Sequence, residues 1–232
     1  MANVLITGAN RGIGLELVKR YAADGHRVFA CCRVPAEANV LSELAGTHDA
    51  VSIHGVQIVD GDSVAALAAS LEGTPIDVLV NNAGANRPAE EQSLTSMDYD
   101  AWAELFAVNA MAPLRVLQAF LPALEASDAE PPKAITISSQ MGALSLDWPV
   151  AYAYCASKAA VNKVMRMAAL ELKEKGIAVG LIHPGWVQTD MGGPNAAITV
   201  DESAAGVIAT IDAIDLESTG CFRTWQNEDH DW

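Results

Sequence analysis

Positive charge is scarce in this chain: 14 Lys and Arg stand against 29 Asp and Glu in 232 residues, a formal net charge of −15. The summed field repels polyanions, and no basic stripe or aromatic-plus-basic cluster occurs locally to overcome it. Nucleic acid is thereby excluded as a partner, and anionic membrane surfaces are disfavoured. Long apolar runs are also lacking. No stretch reaches the roughly 18 uninterrupted apolar residues of a membrane-spanning helix. The amino end, Met1 to Ile6, runs into a strand-like segment without the cationic start and cleavage site of a secretory signal. A soluble chain with no membrane partner is expected. Cysteines are few, and Cys31, Cys32, Cys155 and Cys221 show no pairwise metal spacing. Cys31 and Cys32 are expected to alternate faces of one strand, and a reduced cytoplasmic compartment is the simple reading. His26, His48, His54 and His230 also lack ligand spacing, so no metal site is expected.

What is present is a globular composition, 51% hydrophobic and 19% charged, with enough apolar residues for a sizeable core. Strand and helix signals alternate along it. Short apolar runs at Val4–Ile6, Val28–Cys32, Val51–Val56, Ile76–Val80, Ala134–Ile137 and Ala178–Ile182 read as strands, with helical patterns between them. Buried strands alternating with helices predict a parallel sheet covered on both faces. No repeat, low-complexity tract or linker interrupts it, so residues 1–232 read as one domain.

After the first strand comes Thr7-Gly8-Ala9-Asn10-Arg11-Gly12-Ile13-Gly14, opening the first helix. A glycine-rich strand-to-helix turn lets backbone approach a pyrophosphate, and the free amides of the helix start face the anion. Three residues separate its first two glycines, rather than the one of the common dinucleotide fingerprint.

Four motifs in order then resemble the short-chain dehydrogenase/reductase family: Thr7 to Gly14, Asn81-Asn82-Ala83-Gly84, Tyr154-Cys155-Ala156-Ser157-Lys158, and the Pro184-Gly185-Trp186-Val187-Gln188-Thr189 segment. The exit sequence after Pro184 and the terminal Gly220-Cys221-Phe222 stretch resemble its small carbonyl-reductase-like subgroup, which includes the sniffer and C-factor proteins. The resemblance implies a Rossmann-like, doubly wound α/β fold and a nicotinamide dinucleotide cofactor. It places cofactor contacts at Gly8, Asn10, Arg11, Gly12, Ile13, Gly14, Asn82, Ala83, Gly84, Pro184, Gly185, Val187 and Thr189. At the adenine position relatives carry Asp-Val or Asn-Val six residues before a Ser-Val, whereas Gln57-Ile58 precede Ser63-Val64 here. Asp60 reads as a helix cap.

An acid at the end of the second strand recognises a ribose hydroxyl, and a cation a 2′-phosphate. Cys32 stands where the family's acid would be, Arg33 follows it, and Arg11 is expected to close on the same phosphate. NADP(H) is therefore expected in preference to NAD(H).

Moving a hydride to or from a carbonyl carbon requires an acid or base at its oxygen. Tyr154 and Lys158 are four residues apart and share a helical face, and a nearby ammonium is expected to lower the Tyr154 pKa. In the family this lysine also binds the nicotinamide ribose, and Ser139 corresponds to the carbonyl-polarising hydroxyl. Ser139 precedes Tyr154 by fifteen residues rather than the usual thirteen, which reads as a two-residue insertion between Leu144 and Pro149. Tyr152, at thirteen, does not face Lys158.

Asn109 falls in a helical segment read as Trp102 to Leu124. Pro113 has no amide to give to the Asn109 carbonyl, so that carbonyl is expected to be freed at a kink. The resemblance makes it the holder of a water in a proton relay. Trp148, Trp186 and Met191 are candidate walls for a hydrophobic carbonyl or alcohol substrate, though each equally suits a core. His183 reads as structural. Relatives pair through long helices, and the apolar residues Leu105, Phe106, Leu117, Phe120, Val161, Val164 and Met165 suit a homodimer or homotetramer. Two classes remain open: an NADPH-dependent carbonyl reductase, and a nucleotide-binding signalling or regulatory protein of C-factor type.

Overall fold

In the computed structural model, which describes residues 1–232, the first apolar run forms β1 (Asn3–Thr7), followed by α1 (Gly12–Ala23). β2 (Arg27–Cys32), α2 (Asn39–Thr47), β3 (Val51–Gly55), α3 (Gly61–Ser70) and β4 (Val78–Asn81) continue the alternation. An antiparallel hairpin of β5 (Gln92–Ser93) and β6 (Ser96–Met97) leads into α4 (Tyr99–Phe106), a π-turn over Ala107–Met111, and α5 (Ala112–Glu125). β7 (Lys133–Ile137), α6 (Tyr152–Leu172), β8 (Ala178–His183), α7 (Val200–Ala213) and β9 (Cys221–Thr224) complete the chain.

The main sheet runs β3-β2-β1-β4-β7-β8-β9, and every neighbouring pair is parallel. This is the doubly wound sheet the alternation predicts. Successive strand residues serve opposite layers, as the period of two requires. Val4, Ile6, Val28, Ala30 and Cys32 pack with Leu17 and Val18 of α1 and with Val207 and Ile211 of α7. Leu5, Phe29 and Cys31 face the other way, toward Val64 of α3, Leu117 and Phe120 of α5, and Val161 and Met165 of α6. Cys31 and Cys32 thus alternate faces, and all four cysteines are free.

Three details differ from the sequence pattern. The fourth strand starts at Val78 rather than Ile76, because the Ile76 amide leaves the sheet to bond the Ala123 carbonyl at 2.9 Å. The seventh strand, β9, has only four residues and one buried apolar side chain, Phe222, too short for a periodic signal; it exists because β8 offers an edge. The expected single helix from Trp102 to Leu124 is two helices joined by the π-turn. Pro113 sits in the first turn of α5, where a missing amide costs least, and the ladder widens just before it.

The Tyr99–Glu125 stretch is apolar and long enough to cross a membrane by composition alone, yet Leu105, Val116, Leu117, Phe120 and Leu124 are buried within this chain. Of the apolar residues suggested for subunit pairing, Leu105, Leu117, Phe120, Val161 and Met165 are likewise committed to the chain's own core. Asp60 caps α3, its carboxylate accepting from the Asp62 amide at 3.0 Å.

Candidate active site

The strand order reverses between β1 and β4, which opens a crevice at the carboxyl ends of the strands. The glycine turn lies there. Gly8 has φ +65°, and a Cβ on it would stand 2.8 Å from the Ala83 Cα; a Cβ on Gly14 would stand 2.3 Å from the Gly8 carbonyl oxygen. These are backbone contacts that no rotamer change relieves. The Asn82 side chain explains the crowding: its Nδ2 donates to the carbonyls of Thr7 at 2.9 Å and Gly8 at 3.1 Å. The Thr7 hydroxyl accepts from the amides of Asn82 and Ala83, both at 3.1 Å. Two of the motifs are therefore one hydrogen-bonded unit. Arg11, at the N-cap position of α1, supplies no side-chain cap, and the first turn holds no acid, so the leading amides are left for an anion.

Around this turn, Asn10 is exposed, Ile13 and Gly84 are half-buried, and Arg33 is exposed just beyond β2. Arg11 differs from expectation: its Nη1 contacts the Asp190 carboxylate at 2.6 Å, an exposed ion pair that bridges the glycine turn and the segment after β8. Nearby, a Cβ on Gly12 would lie 3.3 Å from the Thr189 methyl. Gln57 is exposed and its amide donates to the Ser63 hydroxyl at 2.9 Å, so the six-residue spacing is a real contact. The Ile58 carbonyl accepts from Arg115 at 3.1 Å.

Pro184 is buried, and the Ser203 hydroxyl donates to its carbonyl at 2.6 Å. Gly185, with φ +89°, leaves no room for a Cβ, which would lie 2.4 Å from Ile198 Cδ1. The Val187 carbonyl accepts from the Thr189 amide at 2.8 Å and from its hydroxyl at 3.3 Å, and that hydroxyl accepts from the Gly192 amide at 3.1 Å.

Tyr154 and Lys158 are both buried on α6. Lys158 Nζ donates to the Ile137 carbonyl at the end of β7 at 3.0 Å and lies 5.7 Å from the Tyr154 ring centre. Ser139 follows two residues after Ile137, its hydroxyl accepting from the Met141 amide at 3.1 Å. The turn after Ser139 packs on Lys158 so closely that a Cβ on Gly142 would lie 2.7 Å from the Lys158 carbonyl carbon. Tyr152 is half-buried at the first position of α6, and the segment between Ser139 and α6 is exposed from Leu144 to Pro149.

The Tyr154 pKa runs opposite to the sequence expectation. Burial pushes it up to about 12, against a lowering by the Ser139 hydroxyl, while burial brings Lys158 down to about 8. Tyr154 and Lys158 do share a face of α6, but desolvation is the largest cause of the shift in each.

Asn109, buried in the π-turn, is held through its side chain. Oδ1 accepts from the Ala85 amide at 2.9 Å, and Nδ2 donates to the Ala85 carbonyl at 2.8 Å and the Ser157 hydroxyl at 3.0 Å. Pro113 supplies no amide to its carbonyl, in keeping with the kink.

Residues 2–198 match the short chain dehydrogenase family. The chain belongs to that family. It is 39% identical to the C-signal protein of Myxococcus xanthus over 159 residues, which covers 68% of this chain and 93% of that one. Among solved structures it is similar to an NADPH-bound carbonyl reductase from chicken fatty liver, with TM-score 0.93, 35% identity and coverage of 100% and 99% of the two chains. The carbonyl reductase Sniffer of D. melanogaster superimposes with TM-score 0.91 and 30% identity, covering 100% of both. These likenesses place the oxidoreductase in the sniffer and C-factor-like subgroup.

Within this short-chain dehydrogenase, two residues outside the motifs reach them from a distance: Gln92 meets Tyr154, and Asp190 meets Arg11. Only their tertiary partners distinguish them from ordinary polar residues. Ser157, inside the Tyr154–Lys158 motif, donates to the Tyr154 carbonyl. Trp148, Trp186 and Met191 are exposed, not core, and Trp186 Nε1 donates to the Gly192 carbonyl at 2.8 Å. His183 is buried with Nδ1 unpartnered.

Proposed function

We propose that this short-chain dehydrogenase uses NADPH to reduce the carbonyl of a small hydrophobic substrate, with Tyr154 as the proton donor. The observation that carries the reading is the geometry: Tyr154 is buried one helical turn from Lys158 and within hydrogen-bonding reach of Ser139, and burial raises its phenol above the ordinary value, so it is neutral at pH 7. A neutral phenol is the form that reduction requires. Ser139 orients the carbonyl oxygen from the end of β7. Lys158, fixed by the Ile137 carbonyl, is set to hold the ribose hydroxyls and to stabilise the tyrosinate left behind.

The residues present fit the cofactor. The uncapped start of α1 and the glycine turn suit a pyrophosphate, and Arg33 suits a 2′-phosphate where an acid would be needed for a bare ribose. When bound, NADPH supplies the hydride. Gln57 and Ile58 would flank the adenine, and Asn82, Ala83, Gly84, Pro184, Gly185, Val187 and Thr189 would shape the remaining cleft. The half-exposed Trp148, Trp186 and Met191 offer apolar surface to the substrate. The NADPH-bound avian reductase supports the cofactor assignment, and one continuous sheet supports treating residues 1–232 as a single domain. Assembly into a homodimer or homotetramer belongs to this proposal and is read by light scattering.

Tyr154→Phe is expected to lower carbonyl-dependent NADPH oxidation by about 10²–10⁴-fold while NADPH still quenches protein fluorescence with near-normal affinity. Retained turnover would overturn the role. The likeness to the C-signal protein favours a second reading, a signalling or regulatory protein that binds the nucleotide. NADPH binding without turnover over a panel of aldehydes, ketones and quinones favours that one.

A further inference from the structure

α6 starts without a cap of its own. Its N-cap position, Ala151, has no side chain able to accept a hydrogen bond, and its φ of 50° lies in the left-handed region. Tyr154 is the third helical residue, so its amide has no carbonyl partner inside the helix. That amide instead donates to Gln92 Oε1 at 2.9 Å, a contact between residues 62 positions apart. Gln92 is only 2% exposed. Its Nε2 donates to Asn86 Oδ1 at 3.0 Å and to the Arg87 carbonyl at 2.6 Å, so both amide donors and the acceptor are engaged.

We propose that Gln92 is a positioning residue for Tyr154, capping the catalytic helix from the β5–β6 hairpin and coupling it to the segment after Gly84. The inference rests on the reading of Tyr154 as proton donor. Lys158 is anchored in the second turn of α6 by the Ile137 carbonyl, but Tyr154 occupies the first turn, where a helix holds its backbone least firmly. An external acceptor at its amide fixes the height of the phenol relative to Ser139. The same segment meets Asn109 through Ala85, so two side chains from different elements clamp residues 85–87 against the catalytic helix. Burying a glutamine amide is costly unless every group is paired, and here the pairing partner is the catalytic residue's own backbone.

The test compares wild type with Gln92→Leu, which removes the acceptor and both donors, and Gln92→Glu, which keeps an acceptor for the Tyr154 amide. Steady-state kinetics use NADPH and 4-nitrobenzaldehyde, NADPH affinity is read by fluorescence, and exchange of the Tyr154 amide is followed by NMR. Gln92→Leu is expected to lower kcat about 10–100-fold, since small misplacements carry penalties of that order. NADPH affinity should stay within about twofold, and Tyr154 amide exchange should accelerate at least about tenfold, the loss expected on removing one hydrogen bond. Gln92→Glu should restore slow exchange and part of kcat. Unchanged exchange and kcat in Gln92→Leu overturn the proposal, as does an equal loss of kcat and cofactor affinity. If Gln92→Leu does not fold, Gln92→Glu decides: slow exchange with kcat retained supports the cap, and a collapse of kcat with exchange unchanged overturns it. If wild type reduces no carbonyl at all, the reductase reading fails separately, and amide exchange alone decides whether Gln92 holds Tyr154.

Discussion

Asn109 donates through Nδ2 to the Ser157 hydroxyl at 3.0 Å, and that hydroxyl donates in turn to the Tyr154 carbonyl at 2.7 Å. The π-turn is thereby tied to the first turn of α6 through two side chains. Asn109→Ala would break this link and leave the Ala85 amide and carbonyl without their partner. Unpaired buried groups cost about 1–3 kcal/mol each, so a loss of about 2–4 kcal/mol in urea unfolding is expected. Turnover should fall roughly 10–100-fold even where the variant is fully folded. Asn109→Asp keeps the acceptor for the Ala85 amide but loses both donors, and should fall between the two.

Substitutions at Asp190 and Arg33 are expected to change NADPH binding in opposite directions. Arg33→Asp places a carboxylate where the proposed 2′-phosphate binds, and should raise the KM for NADPH far more than for NADH. Asp190→Asn releases Arg11 from its only ion pair. An exposed pair contributes little to folding, so the melting temperature should hardly move, while NADPH affinity rises a few-fold and becomes more sensitive to salt. Equal effects on the two cofactors would refute the assignment of both arginines.

Gly142 is close-packed on backbone, with a Cβ reaching 2.7 Å from the Lys158 carbonyl carbon and 2.9 Å from its oxygen. Gly142→Ala must displace either the turn after Ser139 or the lysine. Overpacking of this kind costs about 1–3 kcal/mol. Chemical denaturation should show that loss, and kcat should fall more than NADPH affinity, because the displaced groups are those proposed to surround the reacting carbonyl.

His183 links stability to pH. Burial, reinforced by the charge of His230, brings its imidazole down to about 4 from an ordinary value of 6.5. The unfolded chain takes up a proton near 6.5 that the folded chain refuses until about pH 4. The contribution to stability is therefore complete above pH 6.5 and lost as pH falls through that window, by at most about 3 kcal/mol. His183→Phe should flatten the acid limb of the stability profile measured by urea titration between pH 7 and 4.

The parts of the site that were legible in the sequence are those carried by local geometry. Gly8 and Gly14 stand where any side chain would strike backbone, and Pro113 marks the helix break because it lacks an amide. Gln92 was not legible, since a glutamine in a polar loop looks like any other until the fold buries it against Tyr154. Asp190, one residue past Thr189, gave no sign that it would meet Arg11 across 179 residues. β9 was missed because four residues cannot show a period, and its edge position comes from β8.

Spacing along the chain determined that Tyr154 and Lys158 share a face of one helix, that strands alternate with helices, and that a glycine turn opens the first of them. Those are consequences of backbone periodicity and steric exclusion, which act over a few residues. Tertiary structure alone decided the protonation of that pair. The ammonium expected to lower the Tyr154 pKa is itself desolvated, and burial by surrounding elements raises the phenol to about 12. Desolvation depends on everything that surrounds a group, and no window of sequence contains it.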